Sequence, residues 1–208
     1  MEMITKPEVQ EIPKPEHNTY KEIKPETDIS VNEAKNFIDN KFNEMSANET
    51  TQYFDDNGNL YRVGNELLPD TEYSLNSYEY KTDSEGRIAS VEGQLHMKTH
   101  EGRLTIRDSL EVIGKGDEKA TDNRGHLIGD QFDGANGLEN MIPQDAKINQ
   151  NEYRSLENQL ASEVKAGKDV RVNIEPVYDE NSHRPDALVV SYSIDGEENM
   201  QIFPNGRE

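Results

Sequence analysis

Residues Thr121 to Gln150 read TDNRGHLIGDQFDGANGLENMIPQDAKINQ. The stretch is dense in Asn, Asp, Gln and Gly, with one arginine two positions before one histidine and only a thin scatter of apolar residues. Polar groups are costly to bury without partners. A run of this length is therefore either a long surface loop or a set of polar groups arranged around something. Its reading decides the fold, because the sequence on each side has a plainer pattern.

On the C-terminal side, Tyr153, Leu156, Leu160 and Val164 recur at helical spacing, and Gly167 is a natural helix stop. KDVRVNIEPVY follows, alternating at Val170, Val172 and Ile174 as a half-buried strand does. ALVVSYSI and EENMQIF then flank Asp195-Gly196, the pair that a type I′ hairpin turn prefers. On the N-terminal side, Asn57-Gly58 marks another hairpin-type turn. SYEYKTDSEGRIASVEGQLHM reads as two strands around Asp83-Ser84-Glu85-Gly86, with Val91, Gly93, Leu95 and Met97 on one side. A further strand is expected at Leu104 to Ile106. The implied class is α+β: an antiparallel sheet, one long loop running into a helix, then more sheet.

The first fifty residues differ in character. KPE occurs three times within residues 1–29 (Lys6-Pro7-Glu8, Lys14-Pro15-Glu16, Lys24-Pro25-Glu26), which reads as an extended linker or tail. Ser30 and Glu33 then have capping-box spacing, and Val31, Ala34, Phe37, Ile38, Phe42 and Met45 share one face of an amphipathic helix over 31–45. The expected division is a linker at 1–29 and one folded domain at 30–208.

With 22 Lys+Arg against 42 Asp+Glu, the formal net charge is 22 − 42 = −20. Such acidity argues against a broad phosphate-neutralising surface, yet a few arginines in a cleft can act locally against a negative whole. Apolar content of 32% is low for a fully packed chain, so part of it is expected outside any core. No apolar run approaches the roughly 20 residues that span a bilayer, and MEMITKPEV is not a basic-then-apolar leader. Neither a membrane partner nor a signal peptide is expected. Cysteine is absent, which removes disulfides, thiolate nucleophiles and Cys-ligated zinc.

Within the polar stretch, Arg124 and His126 would face the same way from an extended segment. Arginine offers fixed charge and a fork that fits phosphate, and histidine takes a proton near neutral pH. Asn149 stands at the start of the helix, with Glu157 about 80° further round it. An amide oxygen, a carboxylate and a neutral imidazole converging on one pocket suit a hard, hydrated cation and suit zinc poorly. Base, cation and hard metal together describe phosphodiester hydrolysis.

Four ordered blocks carry a resemblance: Asn123-Arg124-Gly125-His126, Asn140-Met141-Ile142-Pro143-Gln144, Ile148-Asn149-Gln150, and Arg154-Ser155-Leu156-Glu157. Together they resemble the DNA/RNA non-specific endonucleases, which have the ββα-metal fold. The wording GHLIGDQFDG, ENMIPQ, IEPVY and RPDALVVSYSIDG is most similar to the branch found at the C-termini of bacterial polymorphic toxins, including some exported by type VII secretion. The likeness is tight over 121–160 and looser over 75–203.

The resemblance implies that His126 is the general base and that Asn149 is the direct protein ligand to Mg2+, with Mn2+ a substitute. It further implies that Glu157 holds waters of that ion, that Arg124 binds phosphate, and that Asn123, Asn140 and Gln144 line the site. Asn123 departs from the Asp that usually opens the family motif. Arg107 and Arg154 are candidate phosphate contacts. The implied substrates are DNA and also RNA, an immunity protein is an implied partner, and the implied setting is leaderless secretion or delivery into target cells, with the cytoplasm as the alternative.

Each residue also has a plainer reading. Asn149 could cap its helix with Glu152 completing the box, Glu157 could be a solvated helix residue, and Asn140 and Gln144 could satisfy loop backbone. His17, His96, His100 and His183 read as surface residues, and Asp130 with Asp133 as a weak separate acidic site. The competing function is a catalytically degenerate nuclease fold kept for binding an immunity or partner protein.

Overall fold

The computed structural model describes residues 51–206. The KPE segment, the helix expected over 31–45 and His17 lie outside the described residues.

The frame is a six-stranded antiparallel sheet in the order β11-β10-β9-β6-β5-β4. Its strands are β4 (Glu72–Leu75), β5 (Tyr78–Thr82), β6 (Ile88–Gln94), β9 (Val170–Tyr178), β10 (Pro185–Ile194) and β11 (Glu197–Pro204). The two hairpins read from the sequence are both present: β5–β6 around Asp83–Gly86, and β10–β11 turning at Asp195 and Gly196 with φ of 51° and 87°. Both φ values are positive, as a type I′ turn requires. A smaller sheet is formed by β1 (Gln52–Phe54), β2 (Leu60–Val63) and β3 (Glu66–Leu67). Between β1 and β2 the Asp55 carboxylate accepts from the Asn57 and Asn59 N–H groups, which holds the Asn57-Gly58 turn.

The polar stretch is not a surface loop. It contains two paired strands, β7 (Asp122–His126) and β8 (Met141–Asp145), antiparallel in the register His126↔Met141 through Asp122↔Asp145. Residues 127–140 fold back between them and are largely buried. A helical run then begins at Ala146, passes through a π-helical turn at Ile148–Tyr153 and continues as an α-helix over Arg154–Lys165. Two strands, a connection and a helix form the ββα unit that the resemblance implied.

Tyrosines of β4 and β5 tie this unit to the sheet, and one from its own helical run braces its connection. The Tyr78 hydroxyl donates to Phe132 O at 2.7 Å, Tyr73 to Glu139 O at 2.8 Å, and Tyr153 to Leu127 O at 2.6 Å. Each meets a loop carbonyl that burial removes from water, while its ring fills the core. Tyr73 also stacks between Tyr61 and Tyr80 at centroid distances of 4.6 and 5.0 Å. Around them Val91, Val172, Ile174, Leu188 and Val190 of the sheet pack in one cluster with Leu127, Ile128, Leu156 and Leu160 of the ββα unit.

Leu104–Ile106 is not a strand: the segment pairs with no sheet, and Leu104 instead donates its N–H to Asp130 Oδ1. A short helix, α1 (Leu110–Gly114), capped by the Ser109 hydroxyl, follows it. The later helix over Arg154–Lys165 is α2. Among the described residues no helix is long and apolar enough to cross a membrane.

Candidate active site

A cleft of about 620 Å³ opens between β7, the 127–140 connection and the helical run. Asn123, Arg124 and His126 reach it from β7, and Asn149, Arg154 and Glu157 from the helical run. Six of the nine residues singled out in the sequence thus share one cavity. Gly125, between arginine and histidine, packs directly on the buried Gln144 side chain, so a Cβ there would collide with it.

Asn149 is not a helix cap. The helix is already under way at Ala146, and the Asp145 carboxylate takes the capping role by accepting from the N–H groups of Lys147 and Ile148. Asn149 sits instead in the π-helical turn, a local widening often found at functional sites. Among the described residues its carboxamide has no hydrogen-bond partner.

Glu157 is likewise not a solvated helix residue. Its half-buried side chain packs its carboxyl group against Gly129, whose lack of a Cβ makes the space. Burial pushes its pKa up to about 7, and Arg103 and Arg154 only partly offset that effect. A half-buried carboxylate with no hydrogen-bond partner among the described residues, lining the same cleft as an unpartnered carboxamide, fits a hydrated hard cation, which would relieve the desolvation. No group of three or more His, Cys, Asp and Glu at metal-binding distance occurs among the described residues.

His126 is 8% exposed, and its Nε2 lies 3.1 Å from Asn136 Oδ1. Burial lowers its pKa, the Asn136 hydrogen bond and Asp130 oppose that, and Arg103 and Arg124 add to it. The imidazole is therefore held neutral near pH 7, the form that can accept a proton. Arg124 is steadied by one hydrogen bond, from Nη1 to Asp108 O at 3.2 Å.

Three candidates stand elsewhere. Asn140 is fully buried and serves the loop: its amide donates to Ile128 O and Ala135 O and accepts from the Ile128 N–H. Gln144 is also fully buried, behind Gly125, with neither amide atom paired. Arg107 pairs with Glu139 and belongs to a closed cluster in which Arg62 bridges Asp108 and Glu139. None of the three lines the cleft.

Asp122, the residue beside Asn123, is bound by the Arg184 guanidinium through two hydrogen bonds of 2.7 and 2.8 Å. Asp130 and Asp133 are taken up by Lys98, Thr99 and His100 rather than forming a separate acidic site. The surface histidines have partners too, with His96 stacked on Tyr78 and His183 beside Asp117.

Sequence reasoning misses Arg103 and Asn136. Arg103 lines the cleft but comes from an irregular segment with no periodicity or motif to mark it. Asn136 is one asparagine among many; only its flanking glycines, Gly134 and Gly137, hint at a tight approach.

A family model described as DNA/RNA non-specific endonuclease matches residues 69–196, well over half of the chain. The chain belongs to the DNA/RNA non-specific endonuclease family. The match spans β4–β10 and the entire ββα unit. As a member of this endonuclease family the domain is a hydrolase of nucleic-acid phosphodiester bonds. The type VII secretion system protein EssD of Staphylococcus aureus (strain USA300) is 29% identical over 138 residues, 61% of this chain. The chain spans about one fifth, 21%, of that relative's length. Among solved structures, NucA from Streptococcus agalactiae with magnesium bound is 18% identical over 86% of this chain and 93% of that chain, with a TM-score of 0.43. Sda1 nuclease with bound zinc is 23% identical over 41% and 39% of the two chains, with a TM-score of 0.39.

Proposed function

We propose that this endonuclease domain cuts DNA, and RNA as a second substrate, in a Mg2+-dependent reaction with little sequence preference. The convergence of His126, Arg124, Asn149 and Glu157 on one cleft carries this reading. Neutral His126 takes the proton from a water that attacks phosphorus. The new P–O bond forms as the bond to the 3′ oxygen breaks, leaving a 5′-phosphate product. Arg124, with Arg103 and Arg154 on the rim, holds the non-bridging oxygens and the charge that develops on them. Asn149 would ligate the ion directly through its carboxamide oxygen, and Glu157 would hold ion-bound water through its carboxylate. When bound, the metal supplies Lewis-acid stabilisation of the leaving oxygen, and Mn2+ is expected to replace Mg2+. Contacts through arginine forks to phosphate position the backbone without reading bases, which supports low sequence preference.

Kinship with EssD supports delivery by a type VII route as a toxin domain, with an immunity protein as partner in the producing cell. In the test, purified protein meets supercoiled plasmid with Mg2+, Mn2+ or EDTA. Nicking and linearisation with either metal, none in EDTA, and none from a folded His126→Ala variant are expected. Full cutting by His126→Ala would remove the base assignment, and metal-independent cutting would remove the metal. A folded wild type inert under all conditions would favour the degenerate binding module.

A further inference from the structure

The segment from Lys98 to Leu104 belongs to no strand or helix, yet it delivers Arg103 to the cleft. Two carboxylates of the 127–140 connection supply most of its anchorage. Asp130 accepts from Lys98 Nζ at 2.9 Å and from the Leu104 N–H at 3.1 Å. Asp133 Oδ2 accepts from the Thr99 N–H at 3.1 Å and from the Thr99 hydroxyl at 3.2 Å. Asp130 also lines the cleft, so this anchor sets negative charge beside the arginines that a phosphate would meet.

Two histidines face this carboxylate pair, each with the nitrogen that carries no hydrogen in a neutral ring. His96 Nε2 lies 3.1 Å from Asn76 O; a carbonyl only accepts, so Nε2 carries the hydrogen and the lone pair falls on Nδ1. That Nδ1 is 4.0 Å from Asp133 Oδ2. His100 Nδ1 lies 3.3 Å from Glu101 O, which leaves the lone pair on Nε2, 3.4 Å from Asp133 Oδ1 and 3.9 Å from Asp130 Oδ1. In both neutral rings a lone pair meets a carboxylate, and the contact repels. One proton on each ring turns it into an ion pair. The other groups around the rings are Lys98 on Asp130, Glu101 beside His100, and the Tyr78 ring stacked on His96. We propose that His96 and His100 form a proton-operated clamp: in acid they pair with Asp133 and Asp130, fasten the Arg103 segment to the cleft wall, cancel the negative charge beside it and so tighten the grip on nucleic acid. This contribution is lost as pH rises through the range, about pH 5 to 8, in which histidine ordinarily loses its charge. The inference rests on the cleft being the nucleic-acid site.

The test has two arms, both on the full chain in EDTA. The first follows amide hydrogen exchange at Thr99 and Leu104, whose N–H groups donate to the two carboxylates, with rates corrected for the intrinsic effect of pH. Protection is expected to rise by about 3- to 10-fold from pH 8 to pH 5.5, the worth of two partly exposed ion pairs. The second measures affinity for duplex DNA in a His126→Ala background, which prevents cutting and removes the titration of that histidine. Affinity is compared with and without His96→Gln and His100→Gln together. Glu157, with its pKa pushed up to about 7, titrates in both proteins, so only the difference between them counts. The protein that keeps both histidines should gain about 3- to 10-fold more affinity on acidification than the double glutamine variant, and the two should converge at pH 8.

Equal protection at the two pH values would overturn the proposal, as would a glutamine variant that responds to acid as fully as its parent. Protection that rises while the affinity difference stays at zero would leave a clamp that controls nothing, and would overturn it too. So would a response that appears only with added Zn2+ and vanishes in EDTA, because a metal ion rather than a proton would then join the rings to the carboxylates. Should the double variant fail to fold, His100→Gln alone removes the closer contact and is expected to lose most of the response. DNA that does not bind at any pH would sink the nuclease reading, while hydrogen exchange would still report the clamp.

Discussion

Two groups of arginines and carboxylates flank the ββα unit's first strand in contact with each other through Arg124 and Asp108, and they are built to opposite plans. In the first, Arg62 is 2% exposed and meets Asp108 at 2.6 Å and Glu139 at 3.0 Å, with Arg107 closing the far side of Glu139. Every charge there has its counter-charge inside the protein. In the second, Arg103, Arg124, Arg154 and Glu157 line the cleft without forming one ion pair among themselves under 4.0 Å, and desolvation pushes the Glu157 pKa up to about 7. Paired charge holds the backbone still; unpaired charge waits for a ligand. Substitutions should therefore affect stability in the first group and activity in the second.

The largest effect is expected from Arg62→Met. Removing the cation leaves two buried carboxylates short of compensation, which costs about 3–5 kcal/mol. A urea melt should show the midpoint falling accordingly, with activity lost only as the fold is lost. An unchanged midpoint would erase the distinction between the two groups. Arg124→Ala should do the reverse. Its side chain is exposed and makes one backbone contact, so stability should move by less than about 1 kcal/mol. Removing a donor aimed at developing charge lowers turnover by about 100-fold or more. A melt beside a plasmid assay separates the two outcomes.

The same contrast explains how much was legible in the sequence. The hairpins β5–β6 and β10–β11 and the stripe Tyr153–Leu156–Leu160 declare themselves, because strand alternation, turn residues and helical spacing are local properties. Blocks such as Asn123–His126 and Arg154–Glu157 were legible as a resemblance, and they do meet at the cleft. Pairing over long separations was not legible. Arg107 reads as a candidate phosphate contact because nothing local in the sequence reveals Glu139, its partner, which Arg62 anchors from another sheet. Strand β8 was hidden because Pro143 and Gln144 break any alternation, and only β7 makes it a strand. The π-helical turn that carries Asn149 was invisible too, since Asp145 caps one turn earlier than the sequence pattern indicated.

Glu157→Gln sharpens the comparison on the side of waiting charge. The folded carboxyl has its pKa pushed up to about 7 from an ordinary value of 4.5, so the fold binds this proton more tightly than the unfolded chain does. That contribution is fully present below about pH 4.5 and is lost as pH rises through about 7. In EDTA, the Gln variant should therefore match wild type near pH 4 and exceed it at pH 8 by roughly 1–3 kcal/mol. Added Mg2+ should raise the wild-type Tm and leave the variant's nearly unmoved. A variant less stable than wild type at pH 8 would mean that Glu157 already has its partner within the protein.

The smallest expected effect belongs to Arg154→Ala, read as binding in a His126→Ala background so that substrate survives. A protein of net charge −20 gains nothing from its general field when it meets a polyanion, so attraction must come from the few cations at the cleft. Each phosphate neutralised on duplex DNA contributes about 0.9 to the slope of log affinity against log salt concentration. With Arg103, Arg124 and Arg154 engaged, that slope should be roughly −3, and losing Arg154 should bring it close to −2. Affinity should fall by a similar factor on every sequence tested, because a phosphate contact carries no base information. A slope that stayed put would take Arg154 off the path of the backbone and leave the substrate held by the arginines at 103 and 124 alone.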